Sequence, residues 1–328
     1  MNAAPVPAAA TTALPTRRAA EVLAAAVAAP HDPRARQQLC TARPADRRDR
    51  FETLLGIYDL AVGPLQDVGD AARLVTTPEL ATLKNALESE WLAELEASEV
   101  PDDLSADPVE AMRVLATRGR LPSVYRWLAN DADRDEVLNF LAVEGGPDSG
   151  FDDLVAACQV GLFGSAKMEM AQNYWDEMGN GSLPDVHTTL HTAMAEAIDM
   201  PRLASSELPV EGLERTALGG LLATNRWLQP EMIGALGMIE LQAGPRCRLV
   251  VKAFDRVGMP AAAYPFYEVH AEVDPRHGQD WLDKVIAPLA EEQPQWNARV
   301  IRGAWWRGVT NAGLFDLLGE RLPMASAA

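Results

Sequence analysis

The sequence is poor in the residue types that mark several common classes of protein. Of its 328 residues only three are cysteines, Cys40, Cys158 and Cys247, and no two of them have the C-x-x-C spacing of a thiolate metal site or a redox dithiol. Their odd number and wide separation are typical of proteins from reducing compartments, which carry no disulfide framework. The sequence therefore favours a cytoplasmic location and argues against a cysteine-bound metal cluster.

Long apolar runs and positive charge are also scarce. No stretch approaches the run of about 18 apolar residues that a membrane-spanning helix needs, and the N-terminus lacks the residue order of a secretory signal. With 47 acidic and 29 basic residues, the net charge of −18 argues against nucleic-acid binding through a global basic field. Because no glycine-rich phosphate loop for a flavin or nicotinamide is found, redox chemistry would need an external electron donor.

What remains is typical of a helical protein. Apolar residues make up 48% of the chain, but aromatic residues only 6%, and runs of β-branched residues are scarce. Apolar residues recur at i, i+3, i+4 and i+7, as in Phe51, Leu54, Leu55 and Tyr58, which is the period of an amphipathic helix. Because no alternation typical of strands and no fixed-period repeat is found, the sequence predicts an all-α fold.

Composition also suggests three regions. Residues 1–45 are rich in Ala and Pro and nearly free of acids, which predicts a disordered tail, although the composition also resembles that of a transit peptide. Residues 16–28 could form a short helix, which Pro30 and Pro33 would stop. Residues 46–110 are predicted to form an N-terminal helical extension without evident chemistry. Residues 111–322 are predicted to form the main helical bundle.

Within that bundle, helices are predicted over residues 121–143, 230–241 and 246–257, the last two separated by Gly244-Pro245. The helix over 230–241 is almost wholly apolar and so should be buried on most sides. It contains Gly234 and Gly237, each of which costs about 1 kcal/mol relative to Ala. Such glycines predict the close approach of another helix or of a ligand.

Histidine is rare and clustered. Four of the five histidines form two pairs, His187 with His191 and His270 with His277. At about 100° per residue, His270, Asp274 and His277 lie within about 60° of each other on one helix face. Two imidazoles and a carboxylate suit a borderline metal such as iron. A solvated helix face can show the same pattern by chance, so this motif alone leaves both interpretations open.

Several carboxylates stand on otherwise apolar helices, where an unpaired charge is costly. Glu144 follows an apolar run, and Glu240 ends the apolar helix over 230–241. Glu177 and His187 lie on either side of the tight corner that Gly179-Asn180-Gly181 forms. Together with the motif above, they make four carboxylates and three imidazoles, the set that a carboxylate-bridged two-metal site requires. The candidate ligands are Glu144, Glu177, His187, Glu240, His270, Asp274 and His277.

The order of these residues resembles that of the haem-oxygenase-like diiron oxidases. An early helical Glu is followed by a Glu and, about ten residues later, by a His. A further Glu then comes about thirty residues before a final His-x-x-x-Asp-x-x-His motif, which is ungapped here as His270, Asp274 and His277. Residues 166–181 and the following Val186-His187-Thr188 look like the iron-containing redox enzymes of that group. The resemblance covers residues 121–289.

The resemblance implies a haem-oxygenase-like helical bundle that holds two irons at these seven residues, with Glu169 as an alternative to Glu144 for the first ligand. It also implies a diiron oxidase or oxygenase that uses dioxygen to oxidise a small amine or amino-acid-like metabolite. The expected reaction is N-oxygenation, desaturation or C–C cleavage, as in natural-product pathways. An external electron donor is expected, and a homodimer would be usual for such bundles.

Two other functions remain as alternatives. A haem-binding or haem-degrading protein on the same fold would need one axial histidine, and the cluster of acids counts against it. A non-catalytic helical interaction module would use the same polar residues only as solvated faces.

Overall fold

The computed structural model describes residues 18–119, 121–145 and 150–320, and all regular elements within these ranges are helical. The all-α prediction is confirmed. None of the helices in the described ranges combines the length and the apolar character needed to cross a bilayer. The chain divides into two compact units, Met1–Leu87 and Glu88–Ala328.

The first unit consists of helices from the N-terminal third of the chain. They are α1 (Ala19–Ala28), α2 (Pro33–Leu39), α3 (Arg47–Val62), α4 (Leu65–Val68), a 3-10 segment (Gly69–Thr76) and the first half of α5 (Pro78–Ala97). The division between the units falls within α5, whereas the sequence placed a boundary at residue 110. The second half of α5 belongs to the larger unit, where the indole N–H of Trp91 donates to Glu214.

The prediction of a disordered tail over residues 1–45 is wrong for α1 and α2, while residues 1–17 lie outside the described residues. One face of α1 is buried, through Ala19, Val22, Leu23 and Ala26. The buried carboxylate of Asp49, on α3, accepts the backbone N–H groups of Ala19 and Ala20 at 2.8 and 3.0 Å. Because this cap comes from a residue about thirty positions away, the local composition gave no sign of it.

The second unit is a bundle around one long central helix, α13, which packs against α14, α16 and α7. A π-helical segment, Trp281–Ile286, continues α14 into α15. The helices after α5 are α6 (Pro108–Arg118), α7 (Ser123–Asn130), α8 (Arg134–Glu144), α9 (Phe151–Cys158), α10 (Gly164–Glu177), α11 (His187–Ala197), α12 (Val210–Thr224), α13 (Gln229–Val257), α14 (Tyr264–Asp280), α15 (Ala287–Glu292) and α16 (Asn297–Glu320).

The predicted break at Gly244-Pro245 is wrong, because α13 runs through Pro245 without interruption. A proline inside a helix costs about 3 kcal/mol, but α13 is packed along its length by other helices, which offsets that cost. Gly234 and Gly237 have the predicted role. A Cβ at Gly234 would clash with the backbone of Val300 on α16, and one at Gly237 would clash with the indole of Trp281.

The predicted helix over residues 121–143 is two helices, α7 and α8. The second begins at a capping box, in which the side chain of Asp133 accepts the N–H of Glu136 and the side chain of Glu136 accepts the N–H of Asp133. This local cap restarts the helix. The apolar periodicity continues across the interruption, so it could not reveal the break.

Candidate metal centre

The corner between α10 and α11 brings Glu177 and His187 together. Asn180 has a positive φ of 53°, so α10 ends in the left-handed turn that the Gly-Asn-Gly sequence predicts. Gly179 also has a positive φ, and a Cβ there would clash with the backbone of Asp185 and Val186, so only glycine allows a turn this tight. As a result, Nδ1 of His187 lies 2.7 Å from Oε2 of Glu177, and both side chains are buried.

The crossing of α13 and α14 brings the remaining ligand candidates to the same place. Gly278 has no side chain, and a Cβ there would stand only 3.1 Å from the carbonyl oxygen of Glu240. This close approach places the neighbouring His277 over Glu240, with Nδ1 3.6 Å from Oε2. His270 lies on the same face of α14 as His277, and its ring centroid is 4.5 Å from that of His187 on α11.

These contacts make two groups of three possible ligands. Glu177, His187 and His270 form one group, and Glu177, Glu240 and His277 form the other, with the ligand atoms in each group within 4.8 Å of one another. Glu177 belongs to both. A carboxylate has two oxygens, so a shared glutamate between two such groups is the arrangement that bridges two neighbouring cations.

Buried polar atoms without hydrogen-bond partners point into this pocket. Nδ1 of His187 and Nδ1 of His277 are both buried and unpartnered, although each lies near a carboxylate. Oδ2 of Asp274 is also buried without a partner. A nitrogen and an oxygen that approach without hydrogen-bond geometry are expected where both direct lone pairs at one cation. The set of imidazole and carboxylate donors therefore fits two cations that accept mixed nitrogen and oxygen ligands.

The pKa values of the α14 side chains reflect this crowding. Burial lowers the pKa of His277, but the neighbouring Glu240 and Asp176 outweigh that effect and raise it to about 9. Burial and the nearby His187 lower the pKa of His270 to about 4. Burial, with the charges of Glu240 and Glu177, raises the pKa of Asp274 well above its ordinary value. Cations would relieve the repulsion among the three acids.

Asp274 lies near these groups but is in neither of them. The charges of Glu240 and Glu177 act on it, and its side chain is buried on the pocket side of α14 between His270 and His277. It can therefore add a carboxylate to the pocket.

The structure does not bring Glu144 or the alternative Glu169 into either group. Oε1 of Glu144 accepts hydrogen bonds from Tyr125 and from Arg215, at 3.0 and 3.3 Å. Oε2 of Glu169 pairs with Lys284 at 3.1 Å. Both carboxylates already have a donor or cation of their own, so neither needs a metal to balance its charge.

Two residues of α10 contact the candidate ligands but were not among the predicted ones. Asn173 donates its amide to Oε1 of Glu240 at 2.7 Å, and Oδ2 of Asp176 lies 2.9 Å from Nε2 of His277. Asn173, Asp176 and Glu177 are at i, i+3 and i+4, so they share one helix face with the shared glutamate. That spacing was the signal in the sequence that could have identified Asp176.

A family model matches a large part of the chain. The iron-containing redox enzyme family matches residues 139–308, which is more than half of the chain and includes all seven predicted ligands. No curated protein is significantly similar to the chain. The matched segment contains both ligand groups, and iron is a metal that their nitrogen and oxygen donors suit. The match confirms the family that the order of the motifs indicated, and the chain belongs to the iron-containing redox enzymes.

Proposed function

We propose that this protein is a non-haem diiron oxidase or oxygenase. The observation that carries the proposal is that Glu177 is common to two groups of ligands, one with His187 and His270 and the other with Glu240 and His277, all of them buried except the partly buried His270. Asp274 would supply a further carboxylate. When bound, two ferrous ions would supply electrons for the reduction of dioxygen, and an external donor would restore them.

The carboxylates and the imidazoles would hold the metals in different ways. Glu177, Glu240 and Asp274 would neutralise the cations, while neutral His187, His270 and His277 would fix the position of each metal. His270 is already neutral near neutral pH, because its pKa is about 4. Burial of the ligands excludes bulk water from the pocket, which strengthens each electrostatic contact there.

A cavity beside α11 supports a small-molecule substrate. Its volume is about 610 Å³, within the usual range for ligand sites, and its wall includes His191, one helical turn beyond His187. None of the six proposed ligands lines this cavity, so it is separate from the metal pocket. We propose that the substrate approaches the metal pocket through it. Arg202, Glu196 and Asp199 in its wall offer charges of both signs, which suits an amine or amino-acid-like molecule.

The test begins with iron content. The protein loaded anaerobically with ferrous iron is expected to retain about two irons per chain. Mixed rapidly with dioxygen in a stopped-flow spectrometer, it should give a transient visible absorption. The transient should decay faster with the substrate class than without it, so amines and amino acids are compared with fatty acids.

Two results would contradict the proposal. A Soret band with bound haem and no retained ferrous iron would favour the haem-binding alternative. Unchanged iron content after His277→Ala would favour the non-catalytic helical module. The cytoplasmic location and the homodimer stay predictions.

A further inference from the structure

Asp176 makes a buried contact with one of the proposed ligands from the outer side. Its side chain is 10% exposed, and its Oδ2 lies 2.9 Å from Nε2 of His277, which is itself 2% exposed. The two residues are 101 positions apart, so the contact is made by the packing of α10 and α14. Of the two His277 ring nitrogens, only Nδ1 is left without a partner, and it is the one near Glu240.

The other α14 histidine is held in the opposite sense. Nδ1 of His270 lies 2.6 Å from the backbone carbonyl oxygen of Phe266 one turn earlier, so it carries the proton and Nε2 is free for a metal. On its own helix, Nε2 of His277 approaches only a guanidinium nitrogen of Arg276, at 3.5 Å. Its shorter contact, at 2.9 Å, is with the Asp176 carboxylate from α10.

Asp176 is itself fixed by two more donors. Gln172, one turn earlier on α10, donates to Oδ1 at 3.1 Å, and Arg276 donates to Oδ2 at 2.9 Å. Arg276 is 58% exposed and so lies on the solvent side of the carboxylate. With its charge balanced and its rotamer held, Asp176 is preorganised to accept a hydrogen bond from His277.

We propose that Asp176 is a positioning residue of the metal centre. It accepts Nε2–H of His277 and thereby presents Nδ1 to the cation that Glu177 and Glu240 would share. This inference rests on the proposed function, and it adds the direction in which His277 binds. Because Asp176 directly precedes Glu177, one turn of α10 would supply both the shared ligand and the orientation of a ligand on α14.

The experiment uses zinc as a diamagnetic substitute for iron and protein labelled with ¹⁵N-histidine. Only five histidines are present, and His277→Gln identifies the signals of His277 by their loss. In the zinc-loaded wild type, we expect His277 to show a metal-bound Nδ1 and a slowly exchanging proton on Nε2. The same spectra are recorded for Asp176→Ala and Asp176→Asn, with zinc affinity measured in parallel by competition with a chelator.

In Asp176→Ala we expect loss of the slowly exchanging Nε2 proton and a 10- to 100-fold weaker zinc affinity, roughly the usual range for an outer hydrogen-bond partner. Asp176→Asn keeps an acceptor oxygen and so should retain Nδ1 ligation, with faster proton exchange. Glu169→Gln, a matched change on the same helix, should behave as wild type. If Asp176→Ala does not fold, Asp176→Asn decides by its exchange rate.

Wild-type His277 signals and affinity in both Asp176 variants would overturn this inference, as would ligation through Nε2 in the wild type. In either case zinc is still bound by the wild type, so the proposed function stands. A wild-type protein that binds neither zinc nor iron would overturn both.

Discussion

Two buried glutamates nine residues apart on α13 have opposite surroundings. Both oxygens of Glu231 accept from arginines of α16, with Arg299 bidentate at 2.8 and 2.7 Å and Arg302 bound to Oε1. Glu240 has an amide and an imidazole as neighbours, and the acids Glu177 and Asp274 belong to the same pocket. Glu231 is 0% exposed and Glu240 3%, so burial does not separate them.

The difference lies in what balances each charge. Guanidinium groups neutralise Glu231 within the chain, so this acid fastens α13 to α16 and needs nothing further. In the pocket of Glu240 the acids outnumber the protein cations, and the nearby imidazole nitrogens are unpartnered. A buried charge without such a balance is costly, so it marks a site for an ion from outside. Glu144, bound by Arg215 and Tyr125, resembles Glu231 in this respect.

The largest expected effect comes from removing the shared carboxylate. Glu177→Gln takes a charged ligand from both groups, so we expect iron content to fall from about two per chain to nearly none. The affinity loss should be about 100-fold or more, beyond the range of outer-shell changes. Iron per chain after gel filtration measures it.

The matched control is Glu144→Gln, which removes a charge paired with Arg215 and not one in either ligand group. Its iron content should stay near that of the wild type. If Glu144→Gln lost iron as completely as Glu177→Gln, the distinction between acids paired with arginine and acids of the ligand groups would fail.

The second prediction compares Glu231→Gln with Glu240→Gln in the iron-free protein. Breaking the Glu231 pair leaves two arginines about one-third exposed, so we expect a loss of about 3 kcal/mol in the free energy of unfolding, the lower end for buried pairs. Glu240→Gln removes repulsion from Asp274 and keeps an acceptor for Asn173, but it also removes the attraction to His277, so its loss should be smaller, about 1 kcal/mol. Urea unfolding in the presence of a chelator measures both, and equal losses would contradict the comparison.

The remaining prediction concerns pH. Without metal the pKa of His277 is raised to about 9, so a metal must displace its proton at lower pH. Metal affinity should therefore rise by about tenfold per pH unit as pH increases toward about 9, and then level off for this group. The raised pKa of His277 also stabilises the iron-free fold. This stabilisation is fully present below about pH 6.5 and is lost as the pH rises through about 9.

Calorimetry of zinc binding in buffers of different ionisation enthalpy counts the released protons. Asp176→Asn removes one of the charges that raise the pKa of His277, so it should release fewer protons near neutral pH. A proton count independent of pH between about 7 and 9 would contradict the prediction.

Sequence reasoning was most successful where the relevant residues lie close together in the chain. The all-α class, the corner that joins Glu177 to His187 and the common face of His270, Asp274 and His277 follow from helical periodicity and turn residues. It was wrong where distant packing overrides local preference, as for α1, which Asp49 caps, and for α13, which continues through Pro245. Asp176 was not predicted to contact a ligand, because its partner His277 is 101 residues away in the chain.

By itself, the sequence determined the all-α class, the family and an excess of acids and histidines on apolar helices. Only the tertiary structure decided which acids meet arginine and which meet imidazole and one another. Glu144, Glu231 and Glu240 all stand on apolar helices, and nothing local distinguishes them. Arg215, Arg302 and Asn173, which contact Glu144, Glu231 and Glu240 respectively, lie 67 to 71 residues away in the chain. The partner determines whether the charge is already balanced or requires a cation.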